Sequence, residues 1–132
     1  MRNSILLAVA ALLLVSGCYN NNLSTLGSVT GTVYINGKPA PKGINIEFDP
    51  VEQGVRGSNA TTDASGQYEA DYTLTRKGVR LGECVVKLSP PLVVPKGPRH
   101  KRKLPYPEEY YEEITRVEIT SGYNTVDLEI SK

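Results

Sequence analysis

Tryptophan is absent from this chain, and phenylalanine, methionine and histidine each occur once. A core built from it must rest on aliphatic side chains and on the eight tyrosines. One histidine cannot make a multi-histidine metal centre, and His100 sits in Arg99-His100-Lys101-Arg102-Lys103, where neighbouring cations disfavour a bound metal. Net charge is scarce too: 15 basic against 14 acidic side chains leave +1, which argues against nucleic acid as a partner. No apolar pattern with a 3.6-residue period runs for a useful length, so long helices are excluded. Twelve glycines and nine prolines favour many turns instead.

The longest apolar run lies at the start of the chain. Met1-Arg2-Asn3-Ser4 carries positive charge, Ile5 to Val15 is unbroken and apolar, and Ser16-Gly17-Cys18 ends it with small residues. Charge, apolar stretch and small-residue exit, in that order, make an export signal. As a helix the eleven residues would reach about 16 Å against a hydrocarbon layer of about 30 Å, too short to span. Val15-Ser16-Gly17-Cys18 resembles the lipobox of bacterial lipoproteins. The resemblance implies cleavage after Gly17, a diacylglycerol thioether on Cys18 and, in most cases, an acyl chain such as palmitate on the new amino group. Tyr19 to Ser28 is polar, uncharged and aperiodic, and reads as a tether between that anchor and a fold beginning at Val29. Neither Tyr19 nor Asn20 is the aspartate that often retains lipoproteins at an inner membrane, which points towards an outer one. With Cys18 lipidated, Cys84 is the one remaining cysteine and has no intramolecular disulfide partner.

The 115 residues after Gly17 suffice for one domain. Apolar residues alternate with polar ones in six segments: Val29-Gly31-Val33-Ile35, Ile44-Ile46-Phe48, Tyr68-Ala70-Tyr72-Leu74, Cys84-Val86-Leu88, Val117-Ile119 and Val126-Leu128-Ile130. A period of two marks half-buried strands, and Asn59 to Thr62 suits a short seventh. Asn36-Gly37, Asp63-Ala64-Ser65-Gly66 and Ser121-Gly122-Tyr123-Asn124 supply turns. The expected fold is all-β, a sandwich of about seven short strands, with one helical turn near residues 107–113.

Several of these segments also carry a family resemblance. Val29-Thr30-Gly31-Thr32-Val33 with Asn36-Gly37-Lys38-Pro39, the alternating Ile44 to Phe48, Thr61-Thr62-Asp63-Ala64-Ser65-Gly66-Gln67-Tyr68 and Gly82-Glu83-Cys84-Val85-Val86 together resemble carboxypeptidase regulatory-like domains. The likeness covers residues 29–89, with Val117 to Ile130 suited to the final hairpin. It implies a transthyretin-like (prealbumin-like) Greek-key β-sandwich of seven strands. Cys84 departs from the pattern by standing where an aromatic residue is usual. The resemblance further implies a module without catalytic residues, one that serves folding, spacing or contact beside envelope proteins.

The remaining candidates have structural readings. Cys84 lies on the apolar face of its strand with no base beside it, as a small buried hydrophobe does. Asp63, Ser65, Glu69 and Asp71 lack the alternating oxygen spacing of a calcium loop, and Asp63 suits turn capping better. No lysine or asparagine faces inward, which excludes an internal isopeptide bond. The stretch 90–113 fits the family pattern least. Lys96, Arg99, Lys101, Arg102 and Lys103 form a basic run, followed by Glu108, Glu109, Glu112 and Glu113 with Tyr106, Tyr110 and Tyr111 among them. The expectation is a non-enzymatic, lipid-anchored envelope module with no cofactor or metal, contacting protein or polysaccharide. The alternatives are an accessory subunit of an envelope enzyme, or a binder of anionic lipid headgroups or acidic glycans through 96–103.

Overall fold

The computed structural model describes residues 25–90 and 104–132. The signal, Cys18, most of the tether and the basic run Lys96, Arg99, Lys101, Arg102 and Lys103 lie outside the described residues. Ten strand segments and one helical turn make up the rest. They are β1 (Leu26–Ile35), β2 (Lys38–Pro39), β3 (Asn45–Pro50), β4 (Ser58–Thr61), β5 (Gln67–Glu69), β6 (Val79–Arg80), β7 (Gly82–Leu88), α1 (Glu109–Glu112), β8 (Thr115–Ile119), β9 (Tyr123–Thr125) and β10 (Leu128–Ile130). Together they form an all-β sandwich.

The ten segments occupy seven strand positions. One sheet is antiparallel in the order β4-β3-β7-β8. The other is organised around β1, the longest strand. Along one edge of β1 run β6, β5 and β2, all antiparallel to it and stacked end to end. Along the other edge run β9 and β10, both parallel to it. The closing segment Val117 to Ile130, which the family resemblance suited to a final hairpin, therefore does not form a hairpin within one sheet. β8 completes the antiparallel sheet, and the chain then turns at Gly122 (φ +93°) and crosses to the other sheet. A hairpin would have left one edge of β1 unpaired and one apolar face of the sandwich uncovered.

The core follows the alternation. Val29, Val33, Ile46, Phe48, Tyr68, Ala70, Cys84, Val86, Leu88, Ile119, Val126, Leu128 and Ile130 form one buried cluster, while residues such as Thr30, Asn45, Glu69 and Glu129 face solvent. Asn36 (φ +51°) and Gly37 (φ +80°) make the β1–β2 turn, in the left-handed backbone that an Asn-Gly pair tolerates. At the next turn the Asp63 carboxylate accepts the N–H groups of Ser65 (2.8 Å) and Gln67 (3.0 Å). This is capping, with the Asp63 side chain committed to its own turn.

Two expectations need correction. The fold starts earlier than Val29, because Leu26 is already buried and paired with Arg80. The alternation Tyr68-Ala70-Tyr72-Leu74 is inward only for its first half. The strand ends at Glu69, and Leu74 is 106% exposed at the tip of an excursion between β5 and β6. There the Thr73 hydroxyl accepts the N–H groups of Thr75 and Arg76, turning the chain back on itself before Leu74 could reach the core. The acidic half of the 90–113 stretch holds the expected helical turn, α1, and is part of the fold. Tyr106, Tyr110 and Tyr111 pack against the core cluster, and the Tyr110 hydroxyl accepts the Ser131 N–H at 3.1 Å.

Candidate functional site

An open depression of about 740 Å³ lies on the outward face of the β1 sheet. Its floor is the centre of β1, Thr30-Gly31-Thr32, with Gln67 and Glu69 of β5 on one side and Thr125 and Asp127 on the other. Thr61, Asp63, Asp71 and Lys77 complete the rim. Strand alternation places the hydroxyls and carboxylates of β1, β5 and residues 125–127 together, since each lies one residue from an inward apolar neighbour.

A break in the parallel ladder shapes this floor. β9 and β10 keep one register against β1, pairing Thr30 with Thr125 and Val33 with Leu128, yet the pairing lapses at Val126-Asp127. A regular parallel ladder would send the Thr32 N–H to the Val126 carbonyl. That carbonyl is instead turned into the core, where the Tyr68 hydroxyl donates to it. The Thr32 N–H finds the Asp127 carboxylate at 2.9 Å, a side chain standing in for the missing backbone acceptor. Tyr68 reaches Val126 by crossing β1 at Gly31, its register partner on the near side. A Cβ at Gly31 would lie 1.8 Å from the Val126 oxygen and 2.8 Å from the Tyr68 hydroxyl, so only glycine fits.

The carboxylates of the depression are thus largely committed. Asp63 caps its turn, Asp127 completes the ladder and Asp71 pairs with Lys77 at 2.7 Å. Such a surface can hydrogen-bond hydroxyl-rich or cationic groups; it presents no nucleophile beside a base. No group of three or more histidine, cysteine, aspartate or glutamate side chains placed to hold a metal occurs among the described residues. Every buried side-chain nitrogen and oxygen there has a hydrogen-bond partner.

Of the residues singled out from sequence, Cys84 is where the alternation put it, buried in β7 as a free thiol. Burial, and then the carboxylates of Asp49, Glu118 and Glu83, push the thiol up to about 11, so it stays protonated and unreactive at neutral pH. Burial and the nearby Asp127 carboxylate also hold the Tyr68 phenol well above its ordinary value. Both groups are raised in the folded state, so the stability they contribute is complete below pH 9 and falls as pH rises further. A urea-midpoint series should decline from about pH 9 upward, Cys84 acting first and Tyr68 above pH 10. Cys84→Ala and Tyr68→Phe should each flatten part of that decline. A midpoint that stays level from pH 8 to 11 would contradict it.

Asp127 went unread in the sequence, where it counts only as one more outward polar residue. Its role depends on a ladder break that alternation does not encode. The Gly31 and Tyr68 signals were visible as parts of a strand pattern, but not their meeting at Val126.

No protein-family model matches the chain, and no curated protein matches it. Among solved structures it is similar to the TIE protein of Bacillus anthracis, at 18% sequence identity and a TM-score of 0.46. That likeness covers 81% of this chain but 16% of the other, so the chain spans about one-sixth of that protein's length.

Proposed function

We propose that this protein is a bacterial lipoprotein: a non-enzymatic cell-envelope module, tethered to a membrane through lipid on Cys18 and displaying a carboxypeptidase regulatory-like sandwich. The observation that carries the reading is Val15-Ser16-Gly17-Cys18 directly after an eleven-residue apolar run, with a polar tether leading into a folded domain. Two or three acyl chains, at about 0.8 kcal/mol per buried CH₂, make such an anchor effectively permanent. The hydroxyl- and carboxylate-lined face of the β1 sheet suits contact with envelope polysaccharide or protein, through hydrogen bonds rather than bond cleavage.

The basic run Lys96 to Lys103 supports a second contact, with anionic glycans or lipid headgroups.

The test of the anchor is labelling with an alkynyl palmitate analogue, followed by fractionation of the envelope. The full-length protein should take up label and sediment with membranes, whereas Cys18→Ser should lose both. A Cys18→Ser protein that still sediments with membranes after a carbonate wash would remove the basis for the reading.

A further inference from the structure

Four large hydrophobic side chains are exposed among the described residues: Val51, Leu74, Leu81 and Tyr123. Singly scattered surface hydrophobics call for no explanation, but these are not scattered. β1 begins at Leu26 and runs away from the point where the chain enters the fold. Leu81 donates its N–H to the carbonyl of Thr25, the first described residue. Val51 donates to Glu83, at the same end of β7. Tyr123 is in register with Ser28, two residues into β1, and Leu74 tops the excursion that leaves β5 beside Val29 and rejoins at Gly27. All four therefore lie at the end where the chain enters.

The excursion is well braced for an exposed tip. Tyr72 and Thr73 both donate to the Arg76 carbonyl, Lys77 bridges Asp71, and the buried Ser58 hydroxyl donates to the Gly78 carbonyl at 2.7 Å. Just behind Leu74, the guanidinium carbons of Arg56 and Arg76 each lie 5.7 Å from the centre of the Tyr72 ring. An apolar tip, an amphipathic ring and a collar of arginines is the composition of a membrane interface: apolar groups enter the acyl boundary, aromatic rings sit at headgroup level and guanidiniums meet phosphate. Arg80 adds a fourth cation with Lys77 at this end, balanced by Glu52, Asp71, Glu83 and its register partner Glu118.

Covalent reach selects the occupant. Seven residue steps separate Cys18 from Thr25, at most about 25 Å of chain, while the sandwich extends about 30 Å along the ten residues of β1. An anchored chain is thus held by the end that carries the exposed hydrophobics.

We propose that this end of the sandwich is a membrane-contacting face, seating Leu74, Tyr123, Val51 and Leu81 in the headgroup layer of the bilayer that holds Cys18. The inference rests on the lipid-anchor reading and adds an orientation to it: the β1 sheet stands with the Asn36-Gly37 turn away from the membrane.

The test uses the acylated full-length protein in vesicles of phosphatidylethanolamine and phosphatidylglycerol. An environment-sensitive fluorophore is attached at Leu74→Cys or, as the far-end control, at Lys38→Cys; the buried Cys84 does not compete for label. The Leu74 probe should shift to the blue and lose about half its emission to doxyl lipids labelled near the headgroup, and the Lys38 probe should do neither. Mass spectrometry of the same sample reports acylation of Cys18. An acylated protein in which both probes report water overturns the orientation and leaves the anchor standing. An unmodified Cys18 overturns the anchor and the orientation together.

Discussion

Replacing Gly31 with alanine is expected to cost about 3 kcal/mol of stability, at the upper end of what one added methyl group does in a packed core. The methyl would occupy space held by the Val126 carbonyl oxygen, which is backbone and cannot rotate out of the way. Relief requires β9 and β10 to move off β1. That motion also breaks the Tyr68–Val126 and Thr32–Asp127 hydrogen bonds, because all three groups meet at one point of the sheet. Urea unfolding of the two proteins should show the loss as a shifted midpoint with an unchanged slope. Shortening the tyrosine does not help: Tyr68→Phe with Gly31→Ala should be no more stable than Gly31→Ala alone, since the clash with backbone remains. A Gly31→Ala protein within 1 kcal/mol of the parent, on the scale of ordinary surface substitutions, would mean the strands are not held this closely.

Phe48→Ala should be at least as damaging, at about 4 kcal/mol. Phe48 is the chain's one phenylalanine and is fully buried in the middle of β3, with its ring 6.0 Å from that of Tyr68. The neighbouring buried ring, Tyr68, is tied through its hydroxyl to the Val126 carbonyl and does not swing into the gap. The neighbours are strand residues fixed by their ladders, so the cavity collapses little. For a domain whose total stability is about 5–15 kcal/mol, this loss approaches unfolding at growth temperature. Phe48→Leu keeps most of the volume and should recover more than half of it. Thermal melts of the three proteins decide the matter, and equal melting temperatures for Phe48→Ala and Phe48→Leu would show that volume at this position is not what counts.

These two residues also show where sequence reasoning stopped. Phe48 is legible directly: it alternates with Glu47 and Asp49, and an apolar residue at that period faces inward whatever the topology. Cys84, the Asn36-Gly37 turn and the Asp63 cap are legible for the same reason, because each follows from neighbours within a few positions. Gly31 is legible as a glycine on an inward face, but its necessity comes from Val126 and Tyr68, which are 95 and 37 positions away. The misreading of Leu74 has a comparable origin. Alternation continued past the point where the Thr73 hydroxyl began to compete for backbone N–H groups, and hydropathy does not register that competition.

The sequence by itself determined the all-β class, the strand faces, the main turns and, through Val15 to Cys18, the expectation of a lipid anchor, since these depend on local chemistry and on a period of two. Only the tertiary structure decided that β9 and β10 lie parallel to β1, and that Tyr68 and Asp127 between them replace one rung of the ladder. It alone gathered Val51, Leu74, Leu81 and Tyr123 at the end where the chain enters. The reason is physical: which strands become neighbours is settled by the collective burial of two apolar sheets, and no short stretch of chain carries that information.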